Sequence, residues 1–183
     1  MRSLYPLLAL LVMIGCADTH KVTKTGGMQV GPVLERQVSA YVAVPSDGRY
    51  GATVYSGSGA MTAQIIVSAL APYLSKVTIA TKTEDLDQAM ATARAGNFRY
   101  LFYPQILQWE DRATEWSGKP DLATVKLSIF ATDTGTLLDS AMIDGKSGLA
   151  TFGGDHRSPT GFVAEANESV RHNPIQMTRL TSR

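Results

Sequence analysis

A run of apolar and aromatic residues from Phe98 to Trp109 constrains the fold more than any other part of the sequence. Its large side chains form two alternating sets: Phe98, Tyr100 and Phe102 on one face, and Leu101, Tyr103 and Leu107 on the other. A strand that is apolar on both faces needs cover from both sides, so it belongs in the middle of a sheet. The run therefore predicts a central strand.

The residues before this strand predict two strand–helix units. Residues 39–44 and 77–80 are short, β-rich runs of the kind that form strands. An apolar stripe at helical spacing predicts a helix over about residues 60–75, with Pro72 shortening its last turn. Thr83 is the predicted N-cap of a second helix.

The residues after the central strand predict a β-hairpin. Apolar and polar residues alternate over residues 125–129, the turn residues Asp133 and Gly135 follow, and residues 137–143 return. Strand–helix–strand units joined by short connections favour parallel pairing, to which the hairpin adds antiparallel strands. We therefore expect an α/β fold: a single domain over residues 37–155, with a mixed sheet of about five strands in the order β-α-β-α-β-β-β and helices packed on it.

The amino terminus has the features of an export signal. Arg2 precedes a 12-residue apolar run from Leu4 to Gly15, and a membrane-spanning helix needs about 20 residues. Gly15 followed by Cys16 resembles the lipobox of bacterial lipoproteins, which implies removal of residues 1–15 and lipidation of Cys16. An ordinary secretion signal and a short signal anchor are the alternatives. Residues 16–36 show no apolar period and predict a flexible tether carrying the lipidated Cys16.

Charge argues against nucleic acid as a partner. The chain has 17 Lys and Arg against 16 Asp and Glu, and removal of residues 1–15 takes away only Arg2, so the processed chain is formally neutral. Nucleic-acid binding needs a strongly basic face. The membrane contact expected here is the N-terminal lipid, and Ala17 after the cysteine resembles the pattern of lipoproteins sorted to the outer membrane, facing the periplasm.

A glycine-rich loop at residues 56–62 is one candidate contact site. It lies between a predicted strand and a predicted helix start, where backbone N–H groups can bind an anion, with Ser56, Ser58 and Thr62 as side-chain contacts. The loop lacks the Gly-Lys-Ser/Thr ending of a phosphate-binding loop and lacks G-x-G-x-x-G. The alternative is a connecting loop in which the glycines allow tight turns and Ser58 caps the helix.

The residues between Trp109 and Trp116 are the second candidate site. Glu110, Asp111 and Glu115 lie between the two rings, a combination that occurs in carbohydrate sites. The alternative is a strand end that continues into an exposed loop, with the tryptophans covering the edge of the core. Histidine and cysteine spacing matches no metal or nucleophile motif, so we expect no catalytic residue, no metal and no cofactor.

Several segments together resemble a group of small envelope lipoproteins from Gram-negative bacteria, best represented in pseudomonads, that carry a domain of unknown function. The matching segments are Val42-Ala-Val-Pro45, Ser56-Gly-Ser-Gly59, Phe98-x-Tyr-Leu-x-Tyr-Pro104, Ile129-Phe-Ala-Thr-Asp-Thr-Gly135 and Asp144-Gly-Lys-Ser-Gly148. The hairpin is also distantly similar to the curli-secretion and penicillin-binding-protein-activator lipoproteins and to the amino-terminal domain of TolB. These are adaptor and assembly modules, a likeness at the level of fold.

The resemblance implies a membrane-anchored envelope lipoprotein that serves as a non-catalytic adaptor or binding module for an envelope protein. The alternative is a periplasmic small-ligand-binding protein or hydrolase that uses loop 56–62 or the Trp109–Trp116 loop. After Asp155 the resemblance is expected to end. Residues 156–183 predict a poorly ordered tail with a short helix at 160–171, and the tail is either genuine or the product of a reading-frame change near His156.

Overall fold

The protein is described here by a computed structural model of residues 19–27, 34–110 and 121–146. A six-stranded sheet is flanked by two helices, and a small two-stranded hairpin lies beside it. The elements in chain order are β1 Thr19–Gly27, β2 Ser39–Val44, β3 Arg49–Tyr50, β4 Thr53–Val54, α1 Ser58–Leu70, β5 Lys76–Thr83, α2 Leu86–Ala95, β6 Tyr100–Glu110, β7 Leu122–Ala131 and β8 Leu137–Lys146. The strand order in the sheet is β1-β8-β7-β6-β2-β5.

The predicted central strand is confirmed as β6. It pairs in parallel with β2 and antiparallel with β7, so that Phe102 lies beside Val42 on one side and Ile129 on the other. Phe102 is 1% exposed and Leu101 0%, so both faces of the strand are covered. The α/β fold class and its mixed sheet are likewise confirmed, with six strands in place of about five.

One side chain of the predicted strand lies on the other face. Phe98 packs in the same cluster as Leu101, opposite to Phe102. The reason is the turn that ends α2, in which Asn97 has a φ of 53° and the N–H of Phe98 donates to Ala93 O. Residue 98 therefore belongs to a helix-terminating turn, where strand alternation does not apply.

The two helices cover opposite faces of the sheet. α1 contributes Ala63 and Ile66 to the cluster around Phe102, and α2 contributes Ala89 and Ala93 to the cluster around Leu101. We call these the α1 face and the α2 face. Each side of the central strands thereby receives the apolar cover that the sequence required.

Two predicted helix boundaries need correction. The first helix ends at Leu70, before Pro72, and does not reach residue 75. The N-cap of the second helix is Asp85, whose carboxylate accepts a hydrogen bond from the N–H of Gln88 at 2.8 Å. Thr83 is instead the last residue of β5.

The predicted flexible tether is wrong for its first half. Thr19–Gly27 forms the edge strand β1, paired antiparallel with β8 from Thr19 opposite Lys146 to Gly27 opposite Asp139. Val22 is the only large apolar side chain in this segment, so the strand carries almost no hydrophobic signal. Its pairing rests on backbone hydrogen bonds to a distant strand. Residues 1–18, with the signal segment and Cys16, and residues 28–33 lie outside the described residues, as does the tail 156–183.

Candidate functional site

The glycine-rich loop leads into α1, and the chain's own Asp47 lies at the start of that helix. Gly57 is the N-cap, with φ 90°, and makes no side-chain cap bond. The N–H of Gly59 donates to Asp47 Oδ1 at 2.9 Å. A carboxylate near a helix amino terminus is stabilised by the unsatisfied N–H groups and by the helix dipole. Asp47 therefore takes the position in which a bound anion would lie.

The hydroxyl groups of this loop also have partners within the chain. Ser58 is 3% exposed, and its Oγ accepts a hydrogen bond from the N–H of Gly48 at 2.7 Å. Thr62 is fully buried, and its Oγ1 donates to the carbonyl of Ser58 at 2.8 Å. The proposed capping role of Ser58 is wrong, because Ser58 is the first helical residue and Gly57 is the N-cap. The Ser58 side chain instead stabilises the turn at Gly48 through this hydrogen bond. Ser56 is exposed, so a ligand contact at Ser56 stays a prediction.

Close packing explains two glycines near this loop. A Cβ on Gly59 would lie 2.2 Å from the carbonyl oxygen of Pro45, and one on Gly48 would lie 2.4 Å from Trp109 Cβ. Both distances are far below van der Waals contact, so a side chain at either position forces the backbone to move. These glycines allow residues 45–48 to lie directly against the start of α1 and against β6.

Trp109 is part of the core and does not present its ring to solvent. It is 3% exposed and packs with Ala123 and Val125 of β7. Glu110 is 6% exposed and accepts a hydrogen bond from Gln108 Nε2 at 2.6 Å. A buried ring cannot stack on a sugar, so this half of the candidate carbohydrate site has a structural role. Trp116, Asp111 and Glu115 lie outside the described residues.

A polar row on the α2 face was not identified from the sequence. Register across β1, β8, β7 and β6 places Lys21, Asp144, Thr124 and Gln108 side by side. Thr124 Oγ1 donates to Asp144 Oδ1 at 2.8 Å. The row lines an open groove of about 310 Å³, completed by His20, Leu122, Gly145 and Lys146. The alternating polar residues of β7 were the only signal, and they indicate a solvated face equally well.

A buried polar cluster joins β2 to α2. Tyr41 donates its hydroxyl hydrogen to Glu84 Oε2 at 2.7 Å, and Thr92 Oγ1 donates to Glu84 Oε1 at 2.9 Å. Burial, together with the bond to Glu84 and its charge, raises the pKa of Tyr41 above its ordinary value. The phenol is therefore held as a hydrogen-bond donor, and the cluster fixes the start of α2 on the sheet.

Within the described ranges no group of three or more His, Cys, Asp or Glu side chains is placed to hold a metal ion.

The outer edge of the sheet at β5 is the remaining feature suited to binding. β5 pairs with β2 on one side, and no other strand of the described residues pairs with it on the opposite side. The side chains of Lys76, Thr81, Lys82 and Thr83 are exposed along it. Such an edge presents unpaired backbone N–H and C=O groups that can pair with another extended segment.

Neither described helix is long and apolar enough to cross a lipid bilayer.

Solved structures of PelC share this fold. A variant of PelC from Paraburkholderia phytofirmans, described as a dodecamer, gives a TM-score of 0.60 at 22% identity and covers 87% of this chain and 100% of its own. A second PelC dodecamer from the same organism gives 0.56 at 22%, with 80% and 94% covered. The C-terminal domain of LpoB from Salmonella enterica gives 0.41 at 11%, with 60% and 82% covered. At these identities the PelC likeness shows a common fold.

Sequence comparison places the chain in a family. It matches none of the curated proteins, whereas one family model, described as a domain of unknown function, matches residues 33–165. This confirms the resemblance predicted from the sequence and corrects its end, because the match continues past Asp155 and through the point where a reading-frame change was suspected. The match covers more than half of the chain, and the protein therefore belongs to the DUF4823 family.

Proposed function

We propose that this protein is a lipid-anchored envelope protein that acts as a non-catalytic binding module, and that it binds its partner at the β5 edge of the sheet. The anchor is an acyl-modified Cys16, at the outer membrane and facing the periplasm. The lipobox-like residues before Cys16 support the anchor. Removal of residues 1–15 takes away Arg2 and leaves a formally neutral chain, so the lipid is the proposed means of membrane attachment.

The observation that carries the binding role is the open edge of β5. An extended segment of another protein can add to such an edge, because main-chain hydrogen bonds supply affinity and alternate side chains supply specificity. Lys76 begins the strand, and Lys82 lies near its end between Thr81 and Thr83, so the exposed side chains of this edge are polar and cationic. This chemistry fits an extended segment with acidic side chains.

The two loops with candidate chemistry support a binding role over a catalytic one. In the glycine-rich loop Ser58 and Thr62 bond within the chain, and Asp47 occupies the helix amino terminus. Trp109 packs in the core. These side chains have structural roles that account for their presence in the sequence.

The PelC structures suggest that the partner could be a second copy of this chain. PelC is described as a dodecamer, so a protein with the same fold can assemble with copies of itself. The segment that adds to β5 is then either another envelope protein or a second copy of this chain. The mass of a crosslinked product distinguishes the two, and both agree with binding at this edge.

Site-specific photo-crosslinking in cells tests the proposal. A photoreactive phenylalanine analogue replaces Thr81 on the β5 edge, and the matched control carries it at Gln105, an exposed polar position on β6. We expect ultraviolet-dependent adducts at residue 81 and none at residue 105. Adducts at 105 alone, or at neither position, would contradict binding at the β5 edge.

The anchor has its own test. Metabolic labelling with an alkyne palmitate should tag the wild-type protein and leave Cys16→Ala unlabelled. Equal labelling of the two would rule out lipidation at Cys16, while leaving the β5 edge to be judged by the crosslinking result.

A further inference from the structure

The open groove on the α2 face is formed mainly by strands β1, β8 and β7. The helix α2 packs chiefly on β6 and β2, so the groove lies to one side of it. The groove has a volume of about 310 Å³, and its exposed lining side chains are His20, Lys21 and Lys146. All three carry nitrogen atoms that can donate hydrogen bonds. The groove therefore favours a ligand with acceptor oxygens.

Lys21 and Lys146 lie close enough to contact one ligand together. Lys21 pairs with Asp144 across β1 and β8, and Lys146 is two residues further along β8, so its side chain is on the same face. Such diagonal neighbours have Cα atoms about 7–8 Å apart, and lysine side chains are long and flexible. Neither lysine forms an ion pair with another residue of the described ranges. Their positive charges repel each other, and a bound anion would offset that repulsion.

The carboxylates on this face do not neutralise its lysines. Asp144 accepts a hydrogen bond from Thr124 Oγ1 at 2.8 Å. Glu110 is 6% exposed and is bonded to a side chain of its own strand. Lys126 follows Thr124 by two residues in β7 and adds a third lysine to the same face. The described strands β1, β8, β7 and β6 therefore present three lysines and two carboxylates on this face, a net formal charge of +1.

We propose that the groove binds the phosphate of an anionic phospholipid headgroup, and that Lys21 and Lys146 contact it directly. The inference rests on the lipid anchor proposed at Cys16. Thr19, which pairs with Lys146, follows Cys16 by only three residues, so an acylated Cys16 would hold the groove next to the membrane surface. A soluble phosphate compound offers the same chemistry. The headgroups of the anchoring membrane are favoured because they stay near the groove at high effective concentration.

Binding at the groove would also set the orientation of the domain. The groove lies towards the β1 end of the strand order β1-β8-β7-β6-β2-β5, and the β5 edge is at the other end. Neighbouring strands are about 4.8 Å apart, so the β5 edge lies about 24 Å along the sheet from β1. A headgroup held in the groove would therefore keep β1 at the membrane and leave the β5 edge accessible to a protein partner.

Native mass spectrometry of the full-length protein in an uncharged detergent tests the inference, because it counts the phospholipid molecules bound to each chain. The probes are short-chain phosphatidylglycerol, phosphatidylcholine with the same acyl chains, and soluble glycerol phosphate. The test variant carries Lys21→Gln with Lys146→Gln. The matched control carries Lys76→Gln with Lys82→Gln, which removes the same charge from two exposed lysines of β5.

We expect saturable binding of phosphatidylglycerol to the wild-type protein. Phosphatidylcholine should bind more weakly, because its choline group offsets the charge of the phosphate. The test variant should bind phosphatidylglycerol roughly tenfold more weakly or worse, and the control variant should bind it as the wild type does. Thermal unfolding followed by circular dichroism checks that both variants are folded.

Each other outcome overturns the proposal. Equal binding of the two phospholipids, or an equal loss in the test and control variants, would show that the groove does not recognise an anionic headgroup. Glycerol phosphate bound as tightly as phosphatidylglycerol would assign the groove to a soluble phosphate compound. If the test variant is poorly folded, the wild-type comparison of the two phospholipids decides. Palmitate labelling at Cys16 and crosslinking at the β5 edge are read out independently, so failure of this proposal is distinct from failure of the proposed function.

Discussion

Replacement of Gly59 by alanine separates two opposing effects on stability. Gly59 lies in the first turn of α1, and alanine in a helix is favoured over glycine by about 0.5–1 kcal/mol. The structure predicts the opposite sign, because the new Cβ would lie 2.2 Å from the carbonyl oxygen of Pro45. Close carbon–oxygen contacts are normally about 3.3 Å or longer, so these atoms must separate by about 1 Å.

That displacement has two costs. Forcing an extra methyl group into a packed site costs about 1–3 kcal/mol. The same movement lengthens the hydrogen bond from the N–H of Gly59 to Asp47 Oδ1, which is 2.9 Å and would no longer be within bonding distance. A bond to an exposed carboxylate contributes about 1 kcal/mol. After the gain in helix propensity is subtracted, we expect Gly59→Ala to lose about 1–3 kcal/mol, or about 4–12 °C in Tm.

Thermal and urea unfolding followed by circular dichroism measure this change. Ala60→Gly is the matched control, because residue 60 is the next position of α1 and is exposed; it should cost about 1 kcal/mol from propensity alone. A Gly59→Ala protein as stable as the wild type, or more stable, would refute the close approach of residue 45 to the helix start.

Three further changes test other contacts. Asp47→Ala should lower the free energy of unfolding, measured in urea, by about 1 kcal/mol. Asp47→Asn should lower it by less, because the amide keeps a hydrogen-bond acceptor and loses only the negative charge that the helix start favours. Equal losses for the two variants would show that this charge does not contribute to stability. Phe102→Ala should lower the free energy of unfolding by about 3–5 kcal/mol in the same assay, because Phe102 is 1% exposed. A nearly unchanged stability would mean that β6 is not the buried central strand. The pKa of Asp133 is lowered by a hydrogen bond from the N–H of Thr134 and by the guanidinium of Arg99 at 2.5 Å. The Asp133 carboxylate therefore stabilises the folded state at pH values above its ordinary pKa of 3.8. This stabilisation is lost as the pH falls through the lower pKa of the folded state. The Tm difference between wild type and Asp133→Asn should therefore shrink as pH falls below about 4, and a difference that is constant with pH would contradict this.

The strands and helices that bury large side chains were predictable from the sequence. Phe102 and Leu101 indicate a central strand, because they place apolar side chains on opposite faces of one segment. Both side chains are buried only if the strand is covered on both sides. The strand β1 was not predictable in the same way. Its pairing depends on backbone groups of β8, more than 100 residues away, and its side chains alternate too weakly to mark a face.

The candidate site shows a similar limit. The loop at residues 56–62 has the composition of an anion-binding helix start, and the structure does place an anionic group there. That group is the chain's own Asp47, which lies nine residues before the loop and is not marked by its composition. Likewise the buried state of Trp109 depends on Gly48, a residue 61 positions earlier whose missing side chain leaves room for the ring. Both facts depend on tertiary contacts that spacing along the chain does not encode.

With the anchor proposed at Cys16, the position of β1 would limit how far from a membrane the protein can act. β1 begins at Thr19, so only Ala17 and Asp18 separate it from Cys16. The three Cα-to-Cα steps from residue 16 to residue 19 span at most about 11 Å. A lipid on Cys16 would hold this end of the sheet, where Thr19, Lys146 and Leu122 lie in register, close to the headgroups. The domain could then turn about its anchor but could not extend across the periplasm, so a partner would have to come within about one domain length of the bilayer.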